Sequence, residues 1–265
     1  MTLSQSHQCT WFRGEIMKLK VLASGSKGNC YILNSPTGSL LIEAGIPWKE
    51  MLKGLDYDIS NVLACLVSHE HLDHSKSVAD VMKAGIDCYM SKGTIDALNI
   101  PHNQSYRAIP AREGFQIDFG DFTVLSFKTE HDAADPRGFL IQYRPTKEKF
   151  LFITDSYYSK YKFKGLNYIL IECNYIKETL DQNIENGYID DSMKPRLLQS
   201  HFSLENVKEF LKANDLSQCQ NIILLHLSDR NSDENQMIKE IEELTGIRPY
   251  VADKGLELIL EMYPY

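Results

Sequence analysis

The segment His69-Glu70-His71-Leu72-Asp73-His74 packs three imidazoles and the carboxylate of Asp73 into six residues, directly after the apolar run LACLVS. Protonated imidazoles that close together repel, whereas neutral imidazoles and a carboxylate are good ligands for a divalent transition metal. In an extended segment His69 and His71 point the same way. Asp73 and His74 lie past the turn, where a helix begins, and can face a second ion. The competing reading is a solvated polar loop, and the crowding argues against it. Three more residues of ligand type follow apolar runs: His131 after FTVLSFK, Asp155 after KFLFIT, and His226 at the end of NIILLH. Taken singly each reads as an ordinary structural residue. Together with the cluster they are what a metal site at a sheet edge requires.

The elements that must position these residues are legible as short alternating runs. Strands are expected over 18–24, 30–34, 39–44, 63–68, 115–119, 122–128, 138–143, 149–154, 167–172, 221–226 and 256–261, from their Val, Ile, Leu, Phe and Tyr content. Turn signals at SPTG (35–38), FGDF (119–122) and RPTKEK (144–149) make hairpins, so the sheet is mixed. Helices are expected after Pro47, Ser75, Ser203 and Ser232. Leu204, Val207, Phe210 and Leu211 repeat at helical spacing, as do Met237, Ile238, Ile241 and Leu244. Runs such as LACLV and IILL are apolar on both faces and must be covered on both sides. The expected architecture is α/β, an αββα sandwich of two mixed β-sheets flanked by helices, in a single domain over 17–265. Residues 1–16 do not fit this plan. Met17 opens the first strand at once, and Arg13-Gly14-Glu15-Ile16 can be encoded by a purine-rich stretch like a bacterial ribosome-binding site. They read either as an N-terminal extension upstream of the true start or as an arm packed on the surface.

With 265 residues, 43% hydrophobic and 24% charged, the chain has the composition of a soluble globular protein. No apolar run approaches the ~20 residues that span a bilayer, and the N-terminus has no apolar core of a secretory signal. Six scattered cysteines without a CxxC pair read as reduced thiols of a cytoplasmic protein. The net charge of −8 excludes nucleic-acid binding through a globally basic face. An anionic substrate would have to be held by metal ions and a few local Lys or Arg. Neither a membrane segment nor an obligate protein partner is evident.

The order HEHLDH, His131, Asp155, His226 resembles the metallo-β-lactamase superfamily. Within it, the chain from Met17 onward resembles the YycJ (WalJ) family of bacterial and phage hydrolases. The matching stretches are LASGSKGNCYIL, LLIEAGI, VSHEHLDH, EHDAADPRGFLI, ITDS, IECNY, SHFSLENV, LLHLS and VADKGLELIL. The resemblance implies a dinuclear site. His69, His71 and His131 would hold one ion; Asp73, His74 and His226 would hold the other; Asp155 would bridge them. A hydroxide between the ions would be the nucleophile. Flavodiiron relatives carry Glu where this chain has His71, so hydrolysis with Zn²⁺ or Mn²⁺ is expected in place of oxygen reduction. Relatives usually have Asp in a VDAG-like segment where this chain has Glu43 in LLIEAGI. That carboxylate orients the histidine cluster from behind.

The resemblance also marks Glu172, at the end of NYILIE, and His201, in SHFS. Phosphodiesterases of the superfamily have a Glu and a His at similar places, forming a proton relay to the leaving group. A carboxylate behind an imidazole raises its basicity and fixes its tautomer. The plainer reading is that Ser203 caps a helix and His201 lies in the preceding loop. The catalytic set is thus Asp73, Glu172 and His201. In the loop SGSKGN (24–29), Lys27 could meet a phosphate, and Asn29 resembles a family position near the metals. His7 and His102 match nothing. The leading function is a phosphodiesterase, a nuclease with DNA or RNA as substrate. The alternative is a small-molecule hydrolase acting on a lactone, thioester or cyclic nucleotide, which the acidic charge supports. A non-catalytic metal-bound scaffold is disfavoured because every expected ligand is present.

Overall fold

The structure is a computed structural model that describes residues 17–260. The expected N-terminal extension 1–16, with His7, lies outside the described residues. The strands are β1 Met17–Ala23, β2 Cys30–Ser35, β3 Gly38–Ile42, β4 Val62–Leu66, β5 Cys88–Met90, β6 Ala108–Pro110, β7 Gln116–Phe119, β8 Phe122–Lys128, β9 Arg137–Tyr143, β10 Lys149–Ile153, β11 Tyr168–Glu172, β12 Asn221–Leu225, β13 Tyr250–Val251 and β14 Glu257–Leu260. They form two seven-stranded sheets, ordered β14-β1-β2-β3-β4-β5-β6 and β13-β12-β11-β10-β9-β8-β7.

Each sheet is mixed in the same way. From β14 to β3, and from β7 to β10, neighbours are antiparallel; beyond β3 and β10 they run parallel. The three expected hairpins are present. Ser35 pairs with Gly38 around Pro36-Thr37, and Phe119 pairs with Phe122 around Gly120-Asp121. The third joins β9 to β10.

Alternation along the strands sorts side chains to two faces. Leu40, Ile42, Ala64, Leu66, Phe150, Phe152, Tyr168, Leu170, Ile223 and Leu225 meet between the sheets. Their neighbours Leu41, Cys65 and Val67 turn outward beneath Met51, Val78, Val81 and Met82. On the other side Leu151, Ile153, Ile169, Ile171, Ile222 and Leu224 lie beneath Val207, Phe210, Leu211, Met237 and Ile241. The αββα sandwich is therefore the observed architecture.

Two helix starts differ from expectation. Ser75 closes a short helical turn, Leu72–Ser75, and the following helix, Val78–Lys83, begins after Ser77. The helix expected from Ser232 is Glu234–Thr245, because Asp233 is the residue whose side chain accepts the Gln236 N–H at 3.0 Å. Ser203 does cap its helix, accepting from Asn206 N–H at 3.2 Å. Among the described residues, no helix is long and apolar enough to cross a membrane.

Candidate metal centre

The candidate ligands come from connections at one end of both sheets. Val67-Ser68-His69 follows β4, His131 follows β8, Asp155 follows β10, Glu172 closes β11 and His226 follows β12. Three residues here have left-handed backbone: Glu43 (φ 67°), Asp155 (φ 40°) and His226 (φ 54°). For a side chain with a Cβ that conformation costs about 1–3 kcal/mol and persists only where the surroundings over-determine it. Each of the three turns its chain out of a strand end at the mouth of the sandwich.

Asp155, buried at 3% exposure, is the centre of the cluster. Its Oδ1 is 3.1 Å from His226 Nδ1 and 3.4 Å from His74 Nε2. Its Oδ2 is 3.6 Å from His131 Nε2 and 3.9 Å from His69 Nε2. One carboxylate thus faces two groups of imidazoles with different oxygens. His69, His71 and His131 form one group, and Asp73, His74, Asp155 and His226 another, each with ligand atoms within 4.8 Å of one another.

The donor chemistry fits cations. His131 Nδ1 lies 2.8 Å from the Ser200 carbonyl, which can only accept, so Nδ1 carries the proton and Nε2 keeps its lone pair. That Nε2 is 3.2 Å from His71 Nδ1, close to the ~3.3 Å between two nitrogens on a tetrahedral ion with Zn–N of about 2.0 Å. His69 Nε2 and His226 Nε2 are buried without a hydrogen-bond partner, an omission that costs about 1–3 kcal/mol for each group in a protein interior. A cation satisfies both.

Electrostatics divide the four histidines into two pairs. Burial drives His69 well below the ordinary imidazole value, helped by the neighbouring His74, and burial lowers His131 as well. Both are held neutral, as ligation requires. Burial opposes charge at His74 and His226 too, but Asp155 together with Asp73 and Glu43 at His74, and with Glu172 at His226, outweighs it, raising His74 well above its usual value and His226 to about 10. Against its own burial, Asp155 is held well below the carboxylate range by His226 and His74.

Behind the ligands, fully buried Glu43 accepts from Ser68 N–H at 3.3 Å and faces His74 Nδ1 at 3.6 Å. Buried Asn29 donates to the Asp73 carbonyl at 3.2 Å and lies 3.1 Å from His74 Nε2. Lys27 is exposed and pairs with Asp229 at 3.5 Å. His102 begins an exposed 3-10 turn, His102–Arg107, away from the cluster.

Glu172 and His201 adjoin the cluster. His201 Nδ1 is 2.6 Å from Glu172 Oε1, which also lies 3.1 Å from His226 Nδ1. The other Glu172 oxygen accepts from Ser156 N–H and Phe202 N–H at 3.0 and 3.1 Å. Glu172 stays ionised despite burial because of His201, and Glu172 raises His201 despite the burial of the imidazole.

Four supporting residues escape sequence reasoning. Ser24 Oγ accepts from His226 N–H at 2.9 Å and Asn174 Nδ2 donates to the His226 carbonyl at 2.8 Å. Ser68 Oγ is 2.9 Å from His69 Nδ1, and Ser200 supplies the carbonyl to His131. Backbone and hydroxyl partners leave no mark in residue type or spacing. Gly45 is a fifth. A Cβ there would lie 1.7 Å from the Asp73 carbonyl oxygen, because Asn29 N–H and Ala44 N–H clamp the Asp73 and His74 carbonyls at 2.7 and 2.8 Å. Gly45→Ala is expected to cost at least the ~1–3 kcal/mol of ordinary overpacking and to lower metal content. Denaturant unfolding with elemental analysis checks this; an unchanged midpoint and full metal content would contradict it.

The sequence profile described as the metallo-beta-lactamase superfamily matches residues 23–133. The chain is 28% identical to the protein named exodeoxyribonuclease WalJ of Streptococcus pneumoniae, across 93% of each chain. It is 31% identical to exodeoxyribonuclease YycJ of Bacillus anthracis, across 82% of this chain and 85% of that one. The solved metallo-beta-lactamase fold protein YhfI from Bacillus subtilis superposes with a TM-score of 0.71 at 16% identity, covering 92% of this chain and 99% of that one.

Proposed function

Because the chain belongs to the metallo-β-lactamase superfamily and, within it, to the family of the YycJ and WalJ exodeoxyribonucleases, we propose that it is a metal-dependent nuclease that hydrolyses phosphodiester bonds. The observation that carries the reading from hydrolase to phosphodiesterase is the Glu172–His201 pair, 2.6 Å long and adjoining Asp155.

His69, His71 and His131 are assigned to one cation, Asp73, His74 and His226 to the other, and Asp155 to both. Zn²⁺ or Mn²⁺ suits this imidazole and carboxylate set. When bound, two such ions activate water and offset charge on both oxygens of an in-line displacement. Asp73, a quarter exposed at the mouth, can accept a hydrogen bond from the attacking water. His201 engages Glu172 through Nδ1, which leaves Nε2 to deliver a proton to the leaving sugar oxygen. Glu172 raises the pKa of His201, which favours the protonated imidazole that such a donor needs. Glu43 and Asn29 hold the His74 turn, and Lys27 stands at the rim where a phosphate could reach it. A cytoplasmic compartment completes the reading, and it is supported by the five described cysteines, which are unbridged, four of them buried.

Chelation followed by assay on single- and double-stranded DNA and on RNA tests the reading. Treatment with EDTA is expected to abolish release of nucleotides, and Mn²⁺ or Zn²⁺ to restore it. Hydrolysis that survives metal removal would defeat the proposal. Cleavage of a lactone, thioester or cyclic nucleotide without cleavage of any nucleic acid would establish the small-molecule alternative that the net charge of −8 favours.

A further inference from the structure

Directly after Asp155 the chain reads Ser156-Tyr-Tyr-Ser-Lys-Tyr-Lys-Phe-Lys164, and no acidic residue occurs again before Glu172. In a protein of net charge −8 this is a local reversal of sign. The segment leaves the metal centre and runs beside the helix Leu204–Ala213. Asn206 Nδ2 donates to the Tyr157 carbonyl at 2.9 Å near the start of that helix, and Phe163 N–H donates to Asn214 Oδ1 at 2.7 Å beyond its end. Phe163 is buried and anchors the segment against Phe127 and Phe210, with ring centroids 5.0 and 6.4 Å apart. Lys160, Lys162 and Lys164 are exposed, and none of the three forms a salt bridge among the described residues. Between segment and helix lies a cleft of about 430 Å³ lined by Tyr157, Tyr158, Tyr161 and Phe210, with Glu209 as its one acidic member. Tyr158 is 57% exposed at its edge.

We propose that this cleft is the path of a DNA strand leading away from the scissile phosphate, with Lys160, Lys162 and Lys164 meeting its phosphates and Tyr158 stacking on a base. The inference rests on the nuclease reading and adds a substrate-binding surface to it. Alternating lysines and aromatics are the combination by which grooves hold single strands with little sequence preference. Two lining residues sit next to the centre along the chain: Tyr157 follows Asp155 by two positions, and Phe202 follows His201.

The test replaces Lys160, Lys162 and Lys164 together by Gln, and Tyr158 by Ala, in the full metal-loaded chain. Each phosphate neutralised on a single strand contributes about 0.7 to the log–log salt slope. The triple variant should therefore lose about 2 from the slope of kcat/KM on single-stranded DNA. Its preference for long oligonucleotides over a dinucleotide should fall, and Arg at the same three positions should restore both. Tyr158→Ala should weaken strand binding by about 5- to 150-fold, with an abasic substitution in the bound strand harming the wild type more than the variant. An unchanged slope and an unchanged length preference in an active triple variant would overturn the cleft and leave the nuclease reading standing. If the wild type cleaves neither DNA nor RNA, the nuclease reading fails and the strand path with it; cleavage of RNA alone would overturn the DNA path and leave the nuclease reading standing.

Discussion

Asp155→Asn is expected to lower hydrolysis by about 10³-fold or more, the scale on which single preorganised groups act at a reacting centre, and to release metal from both halves of the site. Oδ1 of Asp155 faces His226 and His74, while Oδ2 faces His131 and His69. The carboxylate therefore faces both groups at once, one oxygen to each. An amide removes the charge and turns one acceptor into a donor aimed at imidazole nitrogens. Asn is the informative replacement because it tolerates left-handed backbone better than most residues, and position 155 has φ 40°. The fold should therefore survive. Elemental analysis of protein purified without chelator should find about two transition-metal equivalents in the wild type and less than one in the variant. Full metal content in Asp155→Asn, or a single tightly held ion indifferent to Asp73→Ala and His226→Ala, would sink the dinuclear arrangement.

His201→Ala is expected to lower kcat by about 10²–10⁴-fold on a substrate with a poor leaving group such as a sugar hydroxyl. The loss should be small on bis(p-nitrophenyl) phosphate, whose leaving group needs no proton. His201 is assigned to the relay and not to the cations, so metal content should be retained. Glu172→Gln should show the same selectivity, since its carboxylate holds His201 Nδ1 at 2.6 Å. It should also weaken metal retention slightly, because the same oxygen lies 3.1 Å from His226 Nδ1. The double variant should lose less than the sum of the two in free energy if they act as one relay. Equal slowing of both substrate types would make His201 a positioning residue, and no slowing of either would leave SHFS as a helix start only.

The longer strands were legible from their runs of apolar and β-branched residues, some alternating in burial as in β8 and some buried throughout as in β11. β8 falls at 122–128, as its sequence predicts. The missed strands, β5, β6 and β13, have two or three residues each; they extend the parallel edges by pairing, and so short a run has no period. The helices Lys92–Ala97, Lys177–Glu185 and Lys194–Ser200 were also missed; each buries one residue, so no apolar stripe announces them. The candidate ligands were legible by type, and the structure brings all seven together. What could not be read was the support by Ser24, Ser68, Ser200 and Asn174, which depends on three-dimensional adjacency. The lysine-aromatic run after Asp155 was visible in the sequence but hidden in the global charge. Only its placement beside a cleft gives it a meaning.

The closing strand of the first sheet comes from the far end of the chain. β14 pairs with β1 in the register Met17↔Leu260 to Lys20↔Glu257, after the whole second sheet has been laid down. A nascent chain emerging from the ribosome therefore carries β1 as an open edge, with Met17, Leu19 and Val21 deprived of Leu258 and Leu260, until Glu257–Leu260 has been made. Such an edge is a template for pairing with other chains. Ribosome-bound or C-terminally clipped chains are then the species most exposed to aggregation, even where every candidate ligand, up to His226, has already been made.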